Sequence, residues 1–289
     1  MSEKKNISVP FAVKMLRGYF STVGRISPSL AMPMLRKVLL TPKKRTIKPP
    51  HQELLKQATK SSFEVKDAFF KKKLTIRLYE WGSGEQTVVL AHGWDSFALD
   101  FYKLIPKLVD KGFRVVALDM PGHGQSSGNI SSLPHFKLIM EQYLERYGAP
   151  YALIGHSLGG AASAFVLTDT QQQVSKLVMM ANPIVAKHFF ETAFDYLHVS
   201  AALRKSFYVW IYKQFGMTVE SFNLNKLDKP IASDDIFVVY DKQDEVVQAL
   251  DVEAFLEDHQ DIQHFKLDGV GHSRIIKDEA ILDRVVEFV

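Results

Sequence analysis

Apolar and polar positions change rhythm along the chain. Near the start, Phe11, Met15, Leu16, Tyr19 and Phe20 recur at the spacing of one helical face, with Lys14 and Arg17 between them. Pro28, Pro33, Pro42, Pro49 and Pro50 then predict short broken pieces up to a Pro-Pro boundary. From about residue 62 the pattern becomes strand-like. Runs at 63–70 and 74–81 flank three lysines, which predicts a hairpin at a solvated sheet edge where lysine discourages further pairing. Shorter, uniformly apolar runs follow at 87–91, 113–118, 151–154, 177–180, 236–240 and 262–267. Uniform apolarity is what a sheet covered on both faces requires. Helical patterns lie between the runs. Leu104, Ile105, Leu108 and Val109 form one, with Asp95 or Ser96 as its cap and Gly112 as its stop; others fall at 139–147 and 252–258.

Alternation of this length implies an open, mostly parallel sheet. One stretch interrupts it. Residues 184–229 hold 10 of the chain's 33 aromatic side chains in a helical pattern. An insertion that follows a strand's C-terminal end lies over the ligand crevice of such a sheet. The expected fold is therefore α/β. An eight-stranded, mostly parallel sheet with helices on both faces occupies 51–183 and 230–289. A helical cap is inserted after the sixth strand at 184–229, and a basic helical arm occupies 1–50.

Composition narrows the function classes. With 46% apolar and 24% charged residues over 289 positions, wholesale disorder is excluded. No run approaches the ~18 apolar residues of a membrane span. Absence of cysteine excludes disulfides, thiolate metal sites and a Cys nucleophile. The net charge of +4 hides an asymmetry: residues 1–50 carry 11 Lys/Arg and one acid, Glu3, while residues 51–289 carry 25 Lys/Arg and 31 acids. An acidic body argues against a nucleic-acid partner. Two main readings of the arm stay open: a helical element packed on the main domain with its charges solvated, or a basic amphipathic helix on anionic lipid. A targeting peptide is a minor third. A secretory leader is not expected, because charges interrupt the apolar run and no small-residue cleavage site follows. The expected location is cytoplasmic, with the arm as the route to a membrane surface.

The sharpest chemical signal is Gly155-His156-Ser157-Leu158-Gly159, between a strand and a helix. A Ser on so tight a turn takes a strained backbone and projects its hydroxyl from the sheet, while the glycines allow neighbouring chain to pass. A neutral hydroxyl needs an adjacent base. Of the later histidines, His198 falls in the expected cap, His259 at a helix end and His264 inside the last strand. His272 alone follows that strand on a Gly-rich loop, on the same rim as Ser157. The acid should follow the preceding strand, where Asp241, Asp244 and Glu245 compete and spacing leaves the choice open. Oxyanion donors are expected from the backbone N–H groups of Leu158 and Trp94. Trp94 is also expected as pocket wall, with Phe207 and Trp210 from the cap. His92 is read as a loop-holding residue.

These residues, with Asp119–Ser126 as Asp-Met-Pro-Gly-His-Gly-Gln-Ser, Asp244-Glu-Val-Val247 and Gly271-His272, resemble the α/β-hydrolase superfamily in its motif order across residues 62–289. The resemblance carries the acid onto Asp244 and implies a Ser157–His272–Asp244 triad. Asp241 stands near where that family commonly has Gly, and residues 1–50 match no part of it. The implied activity is hydrolysis of carboxylic esters with an apolar acyl or alcohol group, through an acyl-enzyme, without metal or organic cofactor. Thioesterase or amidase action, lipid-facing lipase or lysophospholipase action, and a catalytically silent binding protein are the alternatives.

Overall fold

Eight strands form at or near the apolar runs: β1 (Thr59–Asp67), β2 (Lys72–Trp81), β3 (Thr87–Ala91), β4 (Arg114–Leu118), β5 (Ala152–His156), β6 (Val174–Met180), β7 (Ser233–Asp241) and β8 (Gln263–Leu267). The first lies earlier than the expected 63–70, because Asp67 accepts the N–H groups of Phe69 and Phe70 and turns the chain there. They make one sheet in the order β1-β2-β4-β3-β5-β6-β7-β8. β2 runs antiparallel to both neighbours, and β3 to β8 are parallel with β4. The computed structural model describes residues 9–289. Residues 1–8, the beginning of the expected arm with Lys4 and Lys5, lie outside the described residues.

The helices are α1 (Phe11–Ile26), α2 (Pro28–Leu40), α3 (Pro49–Lys56), α4 (Leu104–Asp110), α5 (Leu133–Tyr147), α6 (Leu158–Asp169), α7 (Ala186–Tyr196), α8 (Ala201–Phe215), α9 (Ala249–Asp258) and α10 (Glu279–Phe288). Strand side chains alternate between two cores, as the pleat demands. Val89 and Ala91 of β3 face α5, α6 and α9. Val88 and Leu90 face α4 and α10. Among the described residues no helix is long and apolar enough to cross a membrane.

A third apolar cluster stands apart from the sheet. Phe20, Ala31 and Leu35 of α1 and α2 are buried with Phe194, Leu203, Phe207, Ile211 and Phe215 of α7 and α8. α1 and α8 approach so closely at Gly24 that a Cβ there would lie 2.8 Å from the Leu203 side chain. Arg17 Nε donates to the Tyr196 carbonyl, 2.7 Å away, and Arg36 lies over the Trp210 ring. The arm thus packs on the inserted helices.

Two local expectations change. The helix after β3 does not begin at Asp95 or Ser96. A 3-10 turn, Ala98–Phe101, intervenes, and α4 starts at Leu104. Asp95 instead accepts the Lys43 N–H, and Ser96 donates to Asp100. Of the prolines after α1, Pro28, Pro42 and Pro49 mark element boundaries as expected, and Pro33 does not. Pro28 sits at the start of α2, where its missing N–H has no role, and Pro33 lies inside a continuous 13-residue helix.

Candidate active site

The parallel strands end on one rim, and a tight strand-to-helix turn is there. Ser157 joins β5 to α6 with φ 52° and ψ −122°, a conformation that L-residues rarely adopt. It persists because its surroundings over-determine it. The Ser157 N–H donates to the Met180 carbonyl, and its own carbonyl accepts from Gly160 and Ala161 in the first turn of α6. Side chains two positions either way are impossible. A Cβ at Gly155 would lie 2.3 Å from Gly160 backbone, and one at Gly159 would lie 2.2 Å from the Ala91 carbonyl oxygen.

Ser157 Oγ stands 3.0 Å from His272 Nε2, and His272 Nδ1 stands 2.8 Å from Asp244 Oδ2. The carboxylate can only accept, so Nδ1 carries the proton and Nε2 is left to receive the serine's. The second oxygen of Asp244 accepts the N–H groups of Val246 and Val247 at 2.7 and 2.9 Å. All its bonds are to donors, which suits a fixed negative charge. Ser157 and His272 are both buried.

The competing acids are placed differently. Asp241 ends β7 and accepts from the N–H groups of Gln243, Gly269 and Gly271 at 2.8, 2.9 and 2.6 Å. Burial opposes its ionisation, but those backbone donors outweigh it and hold the carboxyl below its ordinary value. Asp241 therefore pins the loop that carries His272. Glu245 makes no contact with the imidazole of His272; Asp244 does.

Three further histidines surround the turn, and burial pushes each toward its neutral form. His92, whose value falls well below 6.5, donates through Nδ1 to the Gly93 carbonyl and accepts the Met120 N–H at Nε2. It ties the loop after β3 to the loop after β4. His123 is pushed down to about 4 and bonds the Pro121 carbonyl. His156, pushed down to about 3 by burial and then by neighbouring His272, donates Nε2–H to the His272 carbonyl, 3.1 Å away. That support for the imidazole was not anticipated from sequence. Its only signal was adjacency to the serine. Asp119 is buried under the same loops, accepting from Ala98 N–H, Gln125 N–H and the Tyr79 hydroxyl. Burial raises its pKa against those bonds, and it serves as a turn anchor.

Leu158 occupies the first turn of α6, where N–H groups lack partners within the helix. Gly93 brings the loop before Trp94 against the serine, since a Cβ at Gly93 would lie 2.8 Å from Ser157 Cβ. An apolar cleft opens beside both residues. Leu158, Trp94, Phe189 and Phe190 wall it, together with Leu39 and Leu40 from the end of α2. Phe207 and Trp210, expected in this wall, stand elsewhere. Phe207 is wholly buried behind Phe190 in the seam between arm and insertion, and Trp210 lies under Arg36. α8 turns both toward α1 and α2, helices that no periodicity could pair with it. A larger depression at the opposite strand ends, lined by Asp228, Asp258 and Asp261, holds none of this chemistry. Among the described residues no cluster of His, Asp or Glu is arranged to hold a metal ion.

Residues 86–217 match the family described as alpha/beta hydrolase fold. A 2-hydroxy-6-oxononadienedioate/2-hydroxy-6-oxononatrienedioate hydrolase of Escherichia coli K12 is 33% identical over 137 residues, 45% of this chain and 47% of that one. The chain thus spans about half the length of the curated relatives it matches. Among solved structures, an esterase from Pyrococcus furiosus superposes with a TM-score of 0.60 at 20% identity, covering 86% of this chain and 95% of the other. A thioesterase domain from the curacin biosynthetic pathway gives a TM-score of 0.54 at 18% identity, over 80% and 100% of the two chains.

Proposed function

From a chain that has the α/β-hydrolase fold, with Ser157, His272 and Asp244 hydrogen-bonded in series beside an apolar cleft, we infer a serine hydrolase that cleaves carboxylic esters with an apolar acyl or alcohol group. The observation that carries this reading is the 3.0 Å contact of Ser157 Oγ with His272 Nε2, the latter held from behind by Asp244. Ser157 Oγ attacks the ester carbonyl carbon as its proton passes to His272 Nε2. Negative charge gathers on the carbonyl oxygen, against the Leu158 and Trp94 N–H groups. Collapse breaks the bond to the alkoxy oxygen, which leaves with the proton from Nε2. Water then repeats the sequence on the acyl-enzyme and releases the acid. Asp244 keeps the imidazole in the required tautomer and stabilises it when charged.

The cleft argues for an apolar substrate portion. None of its lining residues is Lys, Arg, Asp or Glu. The substrate in the name of the Escherichia coli relative is a dicarboxylate, and two anionic ends find no cationic partner in this lining. A thioester, with the same carbonyl and a better leaving group, would use the same machinery. α7, with Phe189 and Phe190 over the cleft, is the part of the insertion that acts as a cap.

Ser157→Ala tests the reading. The variant should fold, lose labelling by a fluorophosphonate probe and lose esterase activity by several orders of magnitude on p-nitrophenyl esters. Retention of more than a few per cent of wild-type kcat would sink the assignment. Failure of the wild type to react with the probe would favour a silent binding protein.

A further inference from the structure

Large exposed apolar side chains are concentrated on one layer of the molecule. Phe11, Met15 and Ile26 of α1 are 78%, 61% and 85% exposed, and Leu30 and Met34 of α2 are 68% and 42% exposed. Those five are half of the ten such side chains among the described residues. Three of the remaining five, Tyr196, Val209 and Tyr212, belong to α7 and α8, on which the two helices pack. At 100° per residue, Phe11, Met15 and Ile26 fall within about 60° of arc, with Phe20 diametrically opposite. Phe20 is the residue buried against α7 and α8. On α2, Leu30, Met34 and Lys37 share a face, and Ala31 and Leu35 turn inward. α1 and α2 therefore carry large apolar side chains both on the side that packs and on the side that does not; the exposed Gly18 and Thr22 share the outer side of α1, with the Thr22 hydroxyl donated back to the Gly18 carbonyl. A surface helix of a soluble protein carries polar residues on its outer side.

The charge beside this stripe has one sign. Lys14, Arg25, Lys37 and Lys44 are exposed, and the stretch from residue 9 to residue 52 contains no Asp or Glu. Residues 51–289 are acidic in sum. We propose that the outer face of α1 and α2 is a docking surface for anionic lipid bilayers, with Phe11, Met15, Ile26, Leu30 and Met34 entering the acyl boundary and the flanking cations meeting the headgroups. Lipid fits this surface where a second copy does not. An isologous contact through the stripe would join two copies of a face that carries Lys14, Arg25 and Lys37 and no acid, so its cations would meet only cations. The acidic remainder is repelled by an anionic surface, so the same field that draws in the arm also orients the molecule. α2 then has two roles along its length: Leu30 and Met34 face the bilayer, while Leu39 and Leu40 wall the cleft.

Docking is independent of the hydrolase reading, and its test does not use turnover. The 289-residue chain is floated with vesicles of phosphatidylcholine, with and without phosphatidylglycerol. Wild type and Ser157→Ala should float equally with the anionic vesicles at low salt, and much less as salt shortens the reach of exposed charges to ~3 Å near 1 M. Ile26→Asp/Leu30→Asp should lower the bound fraction more than tenfold while leaving hydrolysis of a short soluble ester unchanged, which shows that the fold survives. Lys14→Glu/Arg25→Glu/Lys37→Glu should do likewise. Wild type that stays at the bottom of the gradient with anionic vesicles would overturn the proposal, as would apolar-to-Asp variants that float undiminished. A wild-type dimer that becomes monomeric in Ile26→Asp/Leu30→Asp, without flotation of either form, would assign the surface to a second copy instead.

Discussion

Asp241 and Asp244 lie three residues apart and are held by different groups, so their loss should look different. Asp244 touches the imidazole, and Asp244→Asn should lower kcat by about 10⁴, because the amide favours the wrong tautomer of His272. Asp241 touches only backbone N–H groups. Asp241→Asn turns an N–H₂ toward one of those donors. It should lower the melting temperature by several degrees and reduce kcat far less than the Asp244 change, as thermal melts and p-nitrophenyl ester kinetics on the two variants would read. The sign of its pH dependence follows from a depressed pKa. The contribution of Asp241 is present at neutral pH and is lost as pH falls below the ordinary 3.8 toward the folded value. Much of the site was legible at this scale because its chemistry is local. Gly-x-Ser-x-Gly needs a strand before it and a helix after it, and both could be read from apolar patterning. The support of His272 by His156 was not legible. It spans 116 positions and runs to a main-chain carbonyl, for which side-chain identity carries no signal.

At the scale of elements, the central strands appeared where apolar runs stood, because burial on both faces leaves a mark in sequence; the edge strands carry a weaker mark, so β1 begins earlier than its run and β8 has no fully buried side chain. Partners of amphipathic helices leave none. The arm's inward face could be seen, but not that it would meet α8. That omission misplaced Phe207 and Trp210, and it hid Leu39 and Leu40. The structure separates the two sets experimentally. Phe189→Ala or Leu40→Ala should shift the preferred acyl length in a p-nitrophenyl ester series more than it changes turnover of the acetate. Phe207→Ala should leave that profile in place and destabilise by about 3–5 kcal/mol, as a fully buried aromatic does when truncated in a packed core. A changed chain-length optimum in Phe207→Ala, with an unchanged melting temperature, would return it to the pocket wall.

For the whole molecule, acid should weaken the fold well before carboxylates titrate. His92, His123 and His156 are kept neutral by burial, while in the unfolded chain each takes a proton near 6.5. Below that pH the unfolded state binds more protons than the folded one, so stability rises with pH across this window and falls as pH drops through 6.5. Melting temperatures between pH 7.5 and 5 should decline. His123→Gln should flatten the decline, whereas an unchanged slope would mean that His123 takes up its proton in place. The seam between arm and insertion also bears on how the chain is made. α1 leaves the ribosome before α8, since Leu203, against which Gly24 closes, follows that glycine by about 180 residues. At roughly 5–20 residues per second, the nascent arm waits some ten to forty seconds with both apolar faces open. Through that interval, while β1 to β6 are being made, the growing chain offers cellular chaperones, or a nearby bilayer, an apolar helix that has not yet met its partner.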